Sequence, residues 1–205
     1  ALPILWGNSY LITTNQSSPT IYALNPTTML AGTGTGTAQV FPLAKFPAIG
    51  FQAASPVTQT GSILPPANTP AQVFRVADDA WGTGVGPDHL ESFRLNINWT
   101  TPSSSTISGP YNILTAAYNS SLCGFGSASC IPQPGTTVKL DPLSDILMDK
   151  VQYRNFGDHE AIVCSHVCNS DGLGKAGVRW YELRKDASGT WYIYQQSTYS
   201  VNSDH

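Results

Sequence analysis

Lys150-Val-Gln-Tyr-Arg154, Ala161-Ile-Val-Cys-Ser-His-Val167, Tyr181-Glu-Leu-Arg184 and Trp191-Tyr-Ile-Tyr-Gln195 follow one another between residues 150 and 195. Each run is short, rich in β-branched or aromatic residues, and separated from the next by Gly, Asp, Ser or Asn, which reads as four consecutive strands. The same series occurs twice upstream. Its members are Ile4-Leu-Trp6, Tyr10-Leu-Ile-Thr-Thr14, Tyr22-Ala-Leu-Asn25 and Ala38-Gln-Val-Phe41, then Gly50-Phe-Gln-Ala53, Val73-Phe-Arg-Val76, Phe93-Arg-Leu-Asn96 and Tyr111-Asn-Ile-Leu114. Four-stranded units in series are the signature of a β-propeller, with a β-sandwich as the alternative arrangement of short strands. The only segment with helical signals is Asp141–Asp149, where Asp141 is a candidate cap and Pro142 takes the first helical position.

Composition agrees with many short strands and narrows the chemistry. The 205 residues include 18 Gly and 15 Pro, yet only 11% are charged, against roughly 25% in ordinary soluble domains. A net charge of −3 offers no footprint for a phosphate backbone, so nucleic acid is not an expected partner. No apolar run of 18 residues is present to span a membrane as a helix. No carboxylate precedes Asp78, and the only cations before it are Lys45 and Arg75. Acid–base chemistry or carboxylate ligation is therefore confined to residues 78–205.

The four cysteines fall in two close pairs. An even count in a charge-poor, hydroxyl-rich chain points to an oxidising, extracytoplasmic setting, with Cys123 and Cys130 closing a Gly/Ser loop. Cys164 and Cys168 are also candidates for a disulfide, but along one extended strand they would lie roughly 13 Å apart. A turn at Cys168-Asn169, a different pairing, or free thiols all fit. The sequons Asn15-Gln-Ser, Asn98-Trp-Thr and Asn119-Ser-Ser would permit glycosylation of a eukaryotic protein. Ala1-Leu-Pro-Ile-Leu and Asn202-Ser-Asp-His205 read as the ends of a piece cut from a longer exported protein.

Further residues carry a resemblance: Cys130-Ile-Pro-Gln-Pro-Gly-Thr136, Tyr153-Arg-Asn-Phe-Gly-Asp-His-Glu160, Ala176-Gly-Val-Arg-Trp-Tyr-Glu-Leu-Arg184 and Tyr194-Gln-Gln-Ser-Thr-Tyr199. Over this last third the chain resembles large, uncharacterised exported bacterial proteins with a sialidase-like β-propeller. The resemblance implies export and a fold of about three blades of a larger, six-bladed ring, but brings no established activity. The blades are expected near residues 1–45, 48–118 and 145–200. Propellers typically close with about four to eight blades, so the remaining blades would come from the same precursor or another chain. Cysteines at 164 and 168 depart from the family's pattern.

Candidate site residues cluster in the third blade. Arg154, Asp158, His159 and Glu160 form the densest polar group, suited to acid–base work, to metal ligation or to hydrogen-bonded anchoring of a turn. Alternation would place Asp158 and Glu160 on one face and His159 on the other. Asp145, Asp149 and Glu182 are the other carboxylates that could join a glycosidic pair. Tyr153, Arg179 and Trp180 are candidate ligand-binding groups. His166, between two cysteines, is expected to be structural. Asp78, Asp79 and Asp88 around a Gly-rich loop could hold calcium through oxygen ligands. Gly32-Thr-Gly-Thr-Gly-Thr37 is expected to be a hairpin tip. The functional expectation is a secreted, non-catalytic module that binds carbohydrate or another surface ligand; the alternative is a sialidase-like glycoside hydrolase.

Overall fold

In the computed structural model, residues 4–15, 18–32, 38–46, 52–124 and 129–201 are described. Among these, fourteen strands and one short α-helix make the protein all-β, as expected. Unit 1 is an antiparallel meander of β1 (Ile4–Trp6), β2 (Ser9–Asn15), β3 (Pro19–Leu24) and β4 (Ala38–Pro42). Unit 2 comprises β5 (Ser55–Thr60), β6 (Ala71–Ala77), β7 (His89–Asn96) and β8 (Thr106–Leu114). A separate hairpin, β9 (Ile131–Gln133) with β10 (Thr136–Leu140), precedes unit 3. That unit comprises β11 (Val151–Asn155), β12 (Glu160–Asn169), β13 (Ala176–Lys185) and β14 (Trp191–Tyr199).

Units 2 and 3 are joined through their first strands. β5 and β11 run parallel, with Val57 opposite Val151 and Thr60 opposite Arg154, and create one eight-stranded sheet. This sheet curls until its outer strands β8 and β14 touch, while β1 lies beside β5. The units share one core, in which Leu11 and Ile21 of unit 1, Val73 and Phe74 of unit 2, and Ile162 and Leu183 of unit 3 are fully buried. Trp6 links the units most directly: its ring meets Tyr153 edge-on at 5.1 Å, and its indole N–H donates to Thr69 O at 3.2 Å.

The central strands of unit 2, β6 and β7, are covered on both faces. β6 is buried at all seven positions, Gln72 and Arg75 included. Burying a guanidinium demands a partner. Arg75 pairs with Glu91 across the β6–β7 ladder, donates from Nη1 to Ala44 O at 2.8 Å, and lies over the Phe46 ring at 4.3 Å.

Two expectations require correction. The first strand of unit 2 is Ser55–Thr60; of the expected 50–53 stretch, residues 50 and 51 lie outside the described part and 52–54 form no strand. Gln52 instead ties the crossover, its side chain bonding both N and O of Phe46 and its N–H donating to Asn15 Oδ1. Asp141–Asp149 forms turns instead of a helix. The Asp141 carboxylate caps only Leu143 N, and Leu143 takes φ 45°, a left-handed conformation no helix continues through. The helix, α1, is Pro26–Ala31, with Asn25 Oδ1 accepting from Thr27 N and Gly32 closing it at φ 61°. Of the expected tip at 32–37, residues 33–37 lie outside the described part.

Candidate functional site

The β11–β12 turn is a tight one. Phe156 N donates to His159 O at 2.9 Å, Gly157 N donates to Asn155 Oδ1 at 2.9 Å, and Gly157 sits at φ 94°. The turn breaks strand alternation, so the expected arrangement of Asp158 and Glu160 against His159 does not arise. Asp158 is exposed and pairs with Nδ1 of His159 at 2.8 Å, which holds its carboxyl below the usual carboxylate range. His159 stacks on Phe156 at 4.8 Å, and the Arg154 guanidinium lies 5.0 Å from that same ring. Glu160 bonds elsewhere: it accepts from Tyr153 Oη at 2.6 Å and from Lys185 Nζ at 2.7 Å.

The three candidate ligand-binding residues are not brought together. Tyr153 is fully buried under unit 1. Arg179 is buried on the inner face of β13, where it donates to Thr198 Oγ1, Gln196 Oε1 and Ala116 O. Trp180 is the next residue and projects to the opposite face. Burial thus assigns the first two to packing and to tying the 115–118 segment onto unit 3.

Asp78, Asp79 and Asp88 do converge, each offering an oxygen within 4.8 Å of the others. Their oxygens also organise the chain locally. Asp78 accepts from Ala80 N, Ser120 N and Ser120 Oγ, while Asp88 accepts from Asp79 N and Tyr118 N. Burial pushes the Asp88 carboxyl up. Together Asp78 and Asp88 hold the 118–120 segment against the end of the sheet.

Cys123 and Cys130 are disulfide-bonded, with Cα atoms 5.5 Å apart, at the base of the β9–β10 hairpin. Cys164 and Cys168, candidates for a second disulfide, form none, and of the alternatives left open both are buried free thiols. The reason is the strand itself: both stand on the inner face of β12, opposite Tyr181 and Gly177, at a separation of about 13 Å along an extended backbone. Burial pushes the Cys164 thiol up to about 12.

His166, between them, is fully buried. Its Nε2 lies 2.9 Å from Tyr181 Oη and its Nδ1 3.0 Å from Val167 O, so the neutral ring donates to the carbonyl and accepts from the phenol. Burial lowers its pKa from the usual 6.5 to about 4, with the Arg179 charge acting in the same direction. Between those values the unfolded chain binds a proton that the folded chain does not. Stability is therefore expected to fall as pH drops from about 6.5 to 4, by about 3 kcal/mol in all. Urea unfolding of the wild type and of His166→Gln at pH 7.5 and 4.5 checks this; the variant lacks that part of the slope.

A cleft of about 620 Å³ opens where units 1 and 2 meet, and nothing in the sequence marks it. Its walls come from the β1–β2 turn (Gly7, Asn8), the segment entering β6 (Asn68, Thr69, Pro70), the last residue of β7 (Asn96) and the β7–β8 connection (Asn98, Trp99, Thr100). Trp6 closes the inner end. Trp99 latches the walls together, its indole N–H lying 2.9 Å from Asn8 O and 3.1 Å from Ser9 Oγ. Asn98 Oδ1 accepts from Thr100 N and Thr101 N, which leaves its amide hydrogens for another acceptor. Asn8, Asn68, Asn96 and Asn98 are all exposed. Among the described residues, none that lines the cleft is an acid, a base or a cysteine. In the sequence, Asn98-Trp-Thr signals only a sequon, and nothing local links it to positions 8 or 68.

Compared with protein-family models, curated proteins and solved structures, the chain matches none.

Proposed function

We propose that this chain is a secreted, non-catalytic module that binds a neutral carbohydrate in the cleft between units 1 and 2, on an arc of a sialidase-like β-propeller. The observation that carries the reading is the cleft's lining: four asparagines, threonines and two tryptophans, without an acid or a base. Amide side chains both donate and accept, which suits the paired donor–acceptor character of sugar hydroxyls, and indoles supply flat apolar walls. A cleft of this volume accommodates an oligosaccharide segment. Bond cleavage would need a carboxylate, histidine, lysine or cysteine there, and the described lining supplies none.

The propeller reading is supported by three consecutive four-stranded meanders and by first strands β1, β5 and β11 that neighbour one another in order. The disulfide is compatible with export. A hydrolase centred on Arg154, Asp158, His159 and Glu160 is the weaker reading, because Asp158 is spent on His159 in an exposed turn while Glu160 bonds to Tyr153 and Lys185.

Calorimetric titration with a panel of β-glucan, chitin and mannan hexasaccharides tests the site. One member is expected to bind, and Asn68→Ala/Asn96→Ala to weaken it about tenfold or more, as loss of two hydrogen bonds implies. Asp158→Ala and Glu160→Gln are expected to leave binding unchanged. Binding that follows Asp158 instead of the asparagines contradicts the assignment.

A further inference from the structure

A second pocket, of about 440 Å³, lies between the segment that leaves unit 1 at the end of β4 and one face of unit 2. It shares no lining residue with the cleft. Leu43, Phe46 and Phe93 give it apolar walls, and charge stands at its two ends. The chain has only two cations before Asp78, Lys45 and Arg75, and both line this pocket. Lys45 is exposed and so stands at the mouth; among the described residues it has neither an ion pair nor a hydrogen-bond partner. Arg75 and Glu91, 2% and 4% exposed, stand at the floor. Both contacts from the guanidinium, from Nε at 2.7 Å and from Nη2, fall on Glu91 Oε2, and Oε1 is left without a partner. Arg75 also donates from Nη1 to Ala44 O, which still leaves it N–H groups to spare among its five.

We propose that this pocket binds a phenolic carboxylic acid, with its carboxylate on Lys45 at the mouth, its ring between the apolar walls and its hydroxyl on Glu91 Oε1 at the floor. An open carboxylate oxygen at the bottom of an apolar pocket is an unmet acceptor, and a ligand that covers it without supplying a donor leaves it desolvated. A cation is the wrong donor, because Arg75 already balances Glu91 and Lys45 repels a second positive charge. A carboxylate at the floor is disfavoured too, since it would face Glu91 as a like charge. A neutral hydroxyl suits both neighbours there, donating to Oε1 and accepting a spare N–H of Arg75. The anionic group then belongs at the mouth, where the unpaired ammonium of Lys45 supplies the opposite charge. A phenol is more acidic than an alkyl hydroxyl and so donates more strongly, and its flat ring matches walls that carry Phe46 and Phe93. The volume lies within the range of small-molecule sites. This second site is independent of the cleft and of the sugar assigned to it.

Calorimetric titration with 4-hydroxycinnamate tests it. The wild type is expected to bind this acid, and to bind cinnamate, which lacks the hydroxyl, about tenfold or more weakly, as loss of a hydrogen bond to a charged group implies. That comparison reads the Glu91 contact without disturbing the buried ion pair. Lys45→Ala is expected to weaken 4-hydroxycinnamate about fivefold, the upper end for a solvent-exposed ion pair, and to bind the acid and its uncharged amide alike. Lys139→Ala, exposed on β10, is expected to bind as the wild type does. Absence of binding at millimolar 4-hydroxycinnamate overturns the proposal. Equal affinity for cinnamate overturns it as well, as does binding that Lys45→Ala leaves unchanged. Octanoate that binds as tightly as 4-hydroxycinnamate also overturns it, since the pocket then reads only an apolar chain and a charge.

Discussion

Replacing Arg75 by methionine is expected to destabilise the protein by about 3–5 kcal/mol, the range for breaking a buried ion pair from one side. Arg75 and Glu91 are 2% and 4% exposed, so removing the guanidinium strands a carboxylate in the core and leaves Ala44 O without its N–H donor. The double variant Arg75→Met/Glu91→Leu is expected to recover most of the loss, because two apolar side chains of similar volume need no counter-charge. Denaturant unfolding of the wild type, both single variants and the double variant measures this directly. Equal loss in single and double variants would show that Arg75 acts through its packing on Phe46 and its bond to Ala44 alone.

Trp6→Ala is expected to cost a similar amount, about 3–5 kcal/mol, the range for truncating a buried tryptophan. The indole is 5% exposed and is held by Tyr153 and Thr69 O, residues of the third unit and of the segment leading into β6. Its loss therefore loosens unit 1 from both others. The same variant is expected to abolish oligosaccharide binding, since Trp6 closes the inner end of the cleft. A loss below about 1 kcal/mol would show that the units are not held through this contact.

The strands of units 1 and 3 are legible in the sequence because each has one buried face, which writes a period of two into the residues. In β13, for example, Arg179, Tyr181 and Leu183 turn inward while Val178, Trp180 and Glu182 turn outward. Unit 2 is harder to read. β6 is buried on both faces, so Gln72 and Arg75 break the apolar run without marking a surface, and the sequence pattern places the first strand a few residues early, beside Gln52. Helix α1 is capped by Asn25 with Pro26 at its first turn, but six residues with none buried carry no periodicity to reveal it. The β9–β10 hairpin is exposed or half-exposed along both strands and likewise has no buried face to detect, despite the Pro134-Gly135 turn.

The site is hidden for a related reason. The Tyr153–Glu160 stretch is dense in charge and stands out in the sequence for that density, yet its groups are matched to one another or to Lys185. The cleft is built from asparagines at positions 8, 68, 96 and 98, contributed by the β1–β2 turn, the segment entering β6 and the end of β7 with the connection after it, far apart in the chain and ordinary in isolation. Only the packing of unit 1 on unit 2 makes them neighbours.

The most direct measurement is a titration of ¹⁵N-labelled protein with the bound hexasaccharide, following the indole N–H signals of the five tryptophans and the length of the sugar over time. Neutral-sugar binding in the cleft predicts shifts at Trp6 and Trp99, little change at Trp180, and a hexasaccharide that stays intact. Shifts centred on the β11–β12 turn, or shorter sugars whose release is abolished by Asp158→Ala, would contradict it.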